Sequence, residues 1–335
     1  MARGPRGDGS WNAPRITDKW PTEGLTAEWS LEIGGGYSGI SVAADRVITM
    51  DRRVVEDSDT ATSKEAPENS KLAFERVLCR DLKTGQEIWT FEYEQPYDDL
   101  DYGNGPRAAP TIHSNVVLTI GALGKLNCLN TADGSVVWAR DLVKEFNGRP
   151  PMWGYAASPL VYNGAVIVVA GGPNGFCILA FELQTGQLKW HSLSDEAGYS
   201  WPVLVQRQDH VQLVCWTPSH IQGINAANGR SLWNVPYEVT YGVSIATPIV
   251  HENVVLVSGY WAGSRAIKLG KKPEDATLLW EENRYLRGLM SQPLYRDGYV
   301  YLLDKQYGLT CFEFKNGKKL WDDKNTLTPR GRNPQ

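Results

Sequence analysis

The stretch Cys128-Leu-Asn-Thr-Ala-Asp-Gly134-Ser-Val-Val-Trp138 contains the pattern that decides the fold, because the chain repeats it. The other copies are Cys79–Trp89, Ala180–Trp190, Gly223–Trp233 and Cys311–Trp321. In all five copies a glycine lies four residues before the tryptophan, an Asp, Asn or Glu lies four residues before the glycine, and a small residue lies six before it. Recurrence at fixed internal spacing indicates tandem structural units.

Each position in the pattern has a physical role. Thr-Gly, Asp-Gly and Asn-Gly dipeptides favour the positive φ that a tight β-hairpin requires, so each copy predicts a hairpin. The position six before the glycine holds only Cys, Ala or Gly, which predicts a crowded, buried site. Three of the five cysteines, Cys79, Cys128 and Cys311, are therefore interpreted as packing residues.

Two further strands precede each hairpin, and proline opens the first of them in five of six units. These prolines are Pro110, Pro159, Pro202, Pro248 and Pro293. Proline is tolerated at the first residue of a strand and on an edge, where its missing N–H costs little. With the hairpin, each unit therefore predicts a four-stranded antiparallel blade.

Degenerate copies of the pattern end at Trp29 and Trp280 and extend the array. The resulting series, interpreted as blade-docking residues, is Trp29, Trp89, Trp138, Trp190, Trp233, Trp280 and Trp321. Its spacing runs from 41 residues (Trp280 to Trp321) to 60 residues (Trp29 to Trp89), and propeller blades have about 40–50. The long first interval contains a polar run, Val54–Lys71, which predicts a loop insertion.

These units predict an all-β fold, a β-propeller of six complete blades preceded by an orphan N-terminal outer strand, Leu25–Trp29. The polar residues after Trp321 are too few to supply the three strands that would complete that orphan, which predicts a C-terminally truncated seven- or eight-bladed ring. A closed six-bladed ring with residues 1–30 packed outside it is the alternative. The predicted division is an N-terminal extension (1–24), the propeller (25–321) and a polar C-terminal tail (322–335).

The repeated hairpin resembles the pyrroloquinoline-quinone (PQQ) repeat, over roughly residues 25–321. The opening Arg3-Gly-Pro-Arg-Gly-Asp-Gly resembles the start of the mature domain in an uncharacterised bacterial branch of that family. The family includes PQQ- and calcium-dependent alcohol dehydrogenases and non-catalytic scaffolds such as the propeller lipoproteins of outer-membrane barrel assembly. Members are usually exported, so the resemblance implies a periplasmic location, although no signal peptide is visible in this sequence.

The chain departs from the dehydrogenase pattern. It has no two adjacent cysteines, and no clear equivalent of the catalytic Asp or of the calcium-binding Glu and Asn. The five histidines, His113, His191, His210, His220 and His251, lack metal-ligand spacing and are expected at the surface. We therefore expect no catalytic residue, metal or cofactor. A quinoprotein oxidoreductase holding PQQ and calcium remains the alternative.

Composition narrows the possible partners. A net charge of −4 argues against a polyanion such as nucleic acid, which requires a basic face. No window holds the run of about 18 apolar residues needed to span a membrane. A protein partner or a small-molecule ligand remains.

One positional pattern marks a candidate binding surface. The segment that leads into each first strand, here called a lead-in segment, is rich in aromatic residues and arginine. The candidates are Tyr37, Tyr102, Arg107, Trp153, Tyr155, Tyr199, Trp201, Tyr241 and Arg287. Equivalent positions in a propeller converge at one end of the central channel, so these side chains are expected to form a common binding funnel. Packing between blades is the alternative interpretation, and the sequence does not decide between them.

Overall fold

A computed structural model describes residues 19–55, 72–98, 100–288, 290–324 and 326, which form six four-stranded sheets, I to VI. Every sheet is a meander in which strands pair in chain order. The strands of sheets I to III are β1 Ser41–Ala43, β2 Arg46–Val54, β3 Ala73–Asp81, β4 Glu87–Glu94, β5 Thr111–His113, β6 Val116–Ile120, β7 Lys125–Asn130, β8 Val136–Asp141, β9 Leu160–Tyr162, β10 Ala165–Val169, β11 Ile178–Glu182 and β12 Leu188–Ser192.

Sheets IV to VI contain the remaining strands. These are β13 Val203–Gln206, β14 Val211–Trp216, β15 His220–Asn225, β16 Ser231–Pro236, β17 Ile249–His251, β18 Val254–Gly259, β19 Gly263–Leu269, β20 Ala276–Glu282, β21 Leu294–Arg296, β22 Tyr299–Asp304, β23 Gly308–Glu313 and β24 Lys319–Asp322. The described helices are α1 Leu142–Phe146 and a 3₁₀ turn, Thr240–Gly242. The chain is all-β, and its six sheets have the architecture of propeller blades.

The repeated pattern forms the hairpin between the third and fourth strands of a sheet, as predicted. Gly85, Gly134, Gly186, Gly229 and Gly317 all have φ between +67° and +74°. In the hairpin of Gly134, its N–H donates to the carbonyl oxygen of Asn130 at 2.9 Å, and the Asn130 side chain accepts the N–H of Ala132 at 2.9 Å. Glycine and the polar residue four positions earlier therefore close the turn together.

The small residue of the pattern lies directly across from the tryptophan. Cys128 pairs with Trp138, and a register shift follows at once. Cys79, Ala180, Gly223 and Cys311 pair with their own tryptophans in the same way, and Ala266 pairs with Trp280 in the degenerate copy. An ideal Cβ on Gly223 would lie only 2.2 Å from Trp233, so the indole sets the size limit at this position. The five cysteines are free and buried.

Five of the seven docking tryptophans pack on the hairpin glycine of the sheet that follows them in the chain. The glycine–tryptophan contacts are Gly85 with Trp29, Gly134 with Trp89, Gly186 with Trp138, Gly229 with Trp190 and Gly317 with Trp280. The indole N–H of Trp89 donates to the carbonyl oxygen of Thr131 at 2.9 Å, and that of Trp138 to Leu183 at 2.8 Å. Trp233 differs, because its indole lies on Gly223 of its own sheet and donates to Gln212 at 3.0 Å.

First strands begin where the prolines predict. Thr111, Leu160, Val203, Ile249 and Leu294 each follow a proline and open a strand. Neighbouring first strands are joined by hydroxyl groups: Ser41 donates to the carbonyl oxygen of Pro110 and Thr111 to that of Pro159, both at 2.6 Å. A proline carbonyl thus accepts a bond that helps to align adjacent blades.

The chain divides into two compact units. The first comprises Met1–Glu145, Met152–Val161 and Leu183–Gly186, and the second Phe146–Pro151, Tyr162–Glu182 and Gln187–Gln335. A core in the first unit packs Ile48, Met50 and Val77 of sheet I against Val117 and Leu129 of sheet II. The second unit packs Leu256 of sheet V against Val300 and Phe312 of sheet VI. In each core, apolar side chains from one sheet cover those of the next.

The prediction of an orphan outer strand is wrong. Residues 25–29 form no strand, and the backbone pairing in this region is instead a single bridge from Gly35 to Arg52. Trp29 nevertheless packs on Gly85 and donates its indole N–H to Leu82 at 2.9 Å. Trp29 docks although residues 25–29 pair with no strand, because its contact requires only a hairpin glycine and a carbonyl oxygen.

Two predictions fall largely outside the described residues. The loop insertion lies between β2 and β3, which pair as far as Val54 with Ala73, but residues 56–71 are not described. The N-terminal extension is described from residue 19, and the C-terminal tail at residues 322–324 and 326.

Candidate functional site

The topology of the sheets fixes where the candidate residues can meet. In a four-stranded meander, the segment that leads into the first strand and the turn between the second and third strands lie at the same end. The turns between strands one and two and between strands three and four lie at the opposite end. The lead-in candidates form two groups, one in each unit, and each group is described separately.

Cluster A, in the first unit, consists of Tyr37, Tyr102, Arg107 and Trp153. The Tyr37 hydroxyl donates to the carbonyl oxygen of Tyr102, and the guanidinium carbon of Arg107 lies 5.2 Å from the centre of the Tyr37 ring. Tyr102 meets Trp153 edge to face, with ring centres 5.3 Å apart and an interplanar angle of 88°. The structure thus brings four of the lead-in residues, from three sheets, into one contact group.

Backbone carbonyls hold cluster A in place. Arg107 donates to the carbonyl oxygens of Gly103 and Gly105, so its guanidinium closes the loop that carries Tyr102. Tyr102 itself has a φ of +65°, and its side chain is 68% exposed. A left-handed backbone is unusual for a bulky residue.

A buried carboxyl group lies next to cluster A. Glu75 on β3 is fully buried, and it accepts hydrogen bonds from the hydroxyls of Tyr93 and Tyr97 and, at 3.0 Å, from the N–H of Ala122. Burial raises the pKa of Glu75, opposed by these hydrogen bonds and by the charge of Arg107. Desolvation of the carboxylate dominates because no countercharge forms an ion pair with it in the described chain.

Cluster B, in the second unit, consists of Tyr241, Tyr260, Trp261, Arg287 and Lys305. The Lys305 ammonium nitrogen lies 3.7 Å from the centre of the Trp261 ring and 4.1 Å from that of Tyr260. Tyr241 approaches Trp261 at 6.1 Å with an interplanar angle of 67°. Cation–π contacts of this kind fix both the cation and the ring.

The cations of cluster B are anchored by the β22–β23 turn. Arg287 donates its backbone N–H to the side chain of Asp304 at 2.8 Å and its guanidinium to Gln306 at 2.7 Å. The carbonyl oxygen of Arg287 accepts the backbone N–H of Lys305 at 2.9 Å. Desolvation, with a smaller contribution from the charge of Arg287, lowers the pKa of Lys305. Tyr241 is 71% exposed and has a φ of +60°. Like Tyr102, it combines an exposed ring with a left-handed backbone conformation.

Three candidates belong to neither cluster. Tyr155 is only 2% exposed and packs over Gly124, so it is a packing residue and its prediction as a surface-binding residue is wrong. Tyr199 and Trp201 are half-buried, and the backbone N–H of Tyr199 donates to the carbonyl oxygen of Ser244 at 2.9 Å. The small Gly124 leaves room for the Tyr155 ring, which explains its burial.

Sequence reasoning missed three members of cluster B: Tyr260, Trp261 and Lys305. They come from turns between second and third strands, β18–β19 and β22–β23, and not from lead-in segments. The adjacent Tyr260-Trp261 pair was the available signal, because this turn lies at the same end as the lead-in segments. The prediction of surface histidines is also wrong for His210, whose side chain is 12% exposed and bonds Asp209 at 2.6 Å.

Neither cluster contains a set of metal-ligating side chains. No group of three or more His, Cys, Asp or Glu suited to a metal ion occurs among the described residues. The helices in the described ranges are also too short and too polar to cross a bilayer. Both clusters contain aromatic rings and cations, residue types that are enriched at binding surfaces.

Comparison with known proteins places the fold. The family described as "Outer membrane protein assembly factor BamB" matches residues 73–323. BamB of Moranella endobia is 24% identical over 253 residues, covering 70% of this chain and 61% of that protein. The quinoprotein alcohol dehydrogenase PedH of Pseudomonas putida is 28% identical over 121 residues, covering 35% of this chain and 20% of that protein. The chain thus spans less than two thirds of either curated relative.

Solved structures agree on the fold. BamB from Moraxella catarrhalis has a TM-score of 0.52 at 15% identity, covering 83% of this chain and 72% of that one. A europium-containing methanol dehydrogenase also has a TM-score of 0.52, at 12% identity, covering 86% of this chain and 68% of that one. An assembly factor and a dehydrogenase thus share this architecture. With its repeated hairpins, six four-stranded sheets and a family match over residues 73–323, the chain belongs to the PQQ-repeat β-propeller family of the outer membrane protein assembly factor BamB.

Proposed function

We propose that this protein is a non-catalytic assembly scaffold that binds protein segments through clusters A and B. The family description names an outer membrane protein assembly factor, which favours a partner from the outer-membrane assembly machinery. Both clusters combine tyrosine, tryptophan and a cation, the residue types that dominate binding energy at protein interfaces.

The backbone of Tyr102 and Tyr241 is the observation that carries the proposal. Both residues are largely exposed, 68% and 71%, and both have left-handed φ, +65° and +60°. Such a conformation costs a non-glycine residue about 1 kcal/mol or more. A ring that is largely exposed gains little free energy of burial to offset this cost. Strained backbone concentrates at binding sites. In this conformation each ring meets a tryptophan edge-on.

The charges of the clusters define the partner segment. Arg107 in cluster A and Lys305 in cluster B lie beside aromatic rings, and Arg287 is bonded to the turn that carries Lys305. A segment that offers an apolar or aromatic side chain to the rings and a carboxylate to the cations would satisfy both features. We therefore propose that the partner contributes an acidic segment containing an aromatic residue.

Photo-crosslinking tests this function. The photoreactive residue p-benzoylphenylalanine replaces Tyr102 or Tyr241 in the producing cells, and the adducts are identified by mass spectrometry. Tyr299 on β22, an exposed tyrosine outside both clusters, is the matched control position. We expect adducts with an outer-membrane assembly component from the cluster positions and not from position 299. Equal labelling from all three positions, or adducts only with unrelated proteins, would refute the proposal.

A glycine substitution separates binding from packing. Tyr241→Gly removes both the ring and the left-handed strain, so the protein should lose no stability. Because the proposed partner contacts both clusters, crosslinking of this partner from position 102 should weaken in the same variant. If Tyr241→Gly instead unfolds the protein, the ring belongs to the packing of the fold.

A quinoprotein oxidoreductase is the second candidate, favoured by the 28% identity to PedH over 121 residues. The sequence lacks the adjacent cysteine pair that such dehydrogenases carry. Adding PQQ and calcium to the protein, with a dye-linked alcohol assay, distinguishes the two functions. A bound-quinone absorbance together with alcohol-dependent dye reduction would replace the scaffold proposal.

We propose that the protein acts in the periplasm. The five cysteines are free and buried, and burial raises the pKa of Cys128 to about 12, which suppresses the reactive thiolate. Such thiols tolerate an oxidising compartment. Fractionation of the producing cells, with an antibody against this chain, tests the location.

We further propose that residues 25–321 form one propeller domain belonging to a seven- or eight-bladed ring. Trp321, the last of the series, is 45% exposed, and no described hairpin glycine packs on its indole. Leu294 and Leu320 of the same sheet are exposed as well. Another blade would cover these side chains as sheet VI covers Trp280. Hydrogen exchange in β21–β24 that is as slow as in β17–β20 would contradict an uncovered sheet.

A further inference from the structure

A cleft in the second unit lies at the end of the sheets opposite to cluster B. It is lined by the β13–β14 turn (Gln206 to Asp209), by Asn253 between β17 and β18, and by Lys268 to Lys271 at the end of β19. Turns between strands one and two and between strands three and four share one end of a meander. The cleft has a volume of about 890 Å³, which is the size of a site for a small molecule.

The lining of this cleft is cationic in an acidic protein. Arg207, Lys268 and Lys271 supply three positive charges and Asp209 one negative charge, a local balance of +2, whereas the whole chain carries −4. Lys268 and Lys271 are exposed, and neither forms an ion pair with a described residue. The carboxylate of Asp209 bonds the ring of His210 at 2.6 Å. The Asp209 carboxylate is therefore partly engaged by His210 and not by the three cations of the cleft.

Arg207 joins the two walls of the cleft. Its guanidinium donates to the carbonyl oxygen of Gly270 at 2.6 Å, which fixes the planar group across the gap between sheets IV and V. Gln206 and Asn253 add side-chain amides to the lining. A fixed guanidinium with flanking ammonium groups and amides matches the oxygen atoms of a phosphate.

We propose that this cleft binds a ligand carrying phosphate groups, either a soluble phosphorylated small molecule or a phospholipid headgroup. A single carboxylate would leave most of the three cations without a counterion, whereas a phosphate monoester or a diphosphate carries two or more negative charges. The site is separate from clusters A and B and does not depend on the proposed scaffold function.

The matched variants are two double substitutions with the same change in charge. Lys268→Gln/Lys271→Gln removes the two exposed cations of the cleft. Lys83→Gln/Lys318→Gln removes two exposed lysines from hairpins outside the cleft. Both pairs are surface changes, which usually alter stability little.

Calorimetric titration with inorganic pyrophosphate at low ionic strength is the first measurement. We expect the wild type and Lys83→Gln/Lys318→Gln to bind alike. Lys268→Gln/Lys271→Gln should bind at least about tenfold more weakly, since it loses two charge-assisted contacts to the ligand. Citrate, a polycarboxylate, is the chemical control. Absence of pyrophosphate binding, equal binding by both double variants, or equally tight binding of citrate would overturn the proposal.

Vesicles distinguish the two sources of phosphate. Cosedimentation compares phosphatidylcholine vesicles with vesicles that also contain phosphatidylglycerol, with and without soluble glycerol phosphate as competitor. A headgroup site predicts binding to the mixed vesicles that requires Lys268 and Lys271, whereas a soluble-ligand site predicts pyrophosphate binding without sedimentation. Crosslinking from positions 102 and 241 should be unchanged in Lys268→Gln/Lys271→Gln, so failure of either proposal leaves the other testable.

Discussion

Gly134→Ala places a methyl group where the indole of Trp89 lies. An ideal Cβ on Gly134 would lie 2.6 Å from Cε3 and 2.8 Å from Cδ2 of Trp89. Carbon atoms pack at about 3.5–4.0 Å, so the ring has to move by about 1 Å. Trp89 has little room to move, because it is 6% exposed and its N–H bonds the carbonyl oxygen of Thr131 at 2.9 Å.

The cost of this substitution has two parts. At a φ of +74°, alanine pays roughly 1–2 kcal/mol for the left-handed backbone alone. Overpacking against the indole adds roughly 1–3 kcal/mol. Gly164→Ala is the matched control, because Gly164 has a φ of +71° and no atom within 4 Å of its ideal Cβ, so it carries only the backbone cost.

Urea unfolding followed by far-UV circular dichroism measures both variants, and tryptophan fluorescence checks that the transitions coincide. We expect Gly134→Ala to lose about 1–3 kcal/mol more than Gly164→Ala. In a Trp89→Ala background this excess should disappear, since the methyl group then meets a cavity. Equal losses for the two glycine variants, or an excess that persists without Trp89, would refute the docking of the indole on this hairpin.

Two further predictions concern the same core and the buried carboxyl group. Trp138→Ala, at a side chain that is 7% exposed, should lower the free energy of urea unfolding by about 3–5 kcal/mol, whereas Trp321→Ala, at 45%, should lower it by about 1 kcal/mol. Equal losses would contradict an uncovered Trp321. Burial raises the pKa of Glu75 in the folded state, so its stabilising contribution is present at low pH and is lost as the pH rises through that pKa. The stability of Glu75→Gln relative to wild type should therefore increase from pH 4 to pH 8, and a constant difference would rule out a raised pKa.

The blade could be predicted because its determinants are local. Gly134 and Trp138 lie four residues apart, and the hairpin and its neighbouring strands follow from that spacing. The contact between Trp89 and Gly134 could not be predicted in the same way, because the two residues are 45 positions apart (134 minus 89) and belong to different sheets. Trp29 shows the limit most clearly: its pattern predicted a strand, but the feature it shares with the other docking tryptophans is only the packing contact.

The candidate surfaces were predicted where a lead-in segment contributes the side chain. The structure brings Tyr37, Tyr102, Arg107 and Trp153, which such segments contribute, into contact in cluster A, and the binding role of this cluster stays a prediction. Tyr155 was assigned wrongly because the same segment also contributes to the core: it is two residues from Trp153 but packs over Gly124. Sequence position alone does not give the direction of a side chain in a loop.

The positive φ values of Tyr102 and Tyr241, combined with the exposure of both side chains, support our proposal that clusters A and B bind a partner. An aromatic residue kept for packing would be buried, as Tyr155 is, and would gain the free energy of that burial. Tyr102 and Tyr241 are instead exposed, and their left-handed backbone lowers the stability of the fold. The described chain leaves most of the surface of both rings uncovered. That combination is expected of a surface whose contact partner is another molecule, and the crosslinking from positions 102 and 241 tests whether clusters A and B are such surfaces.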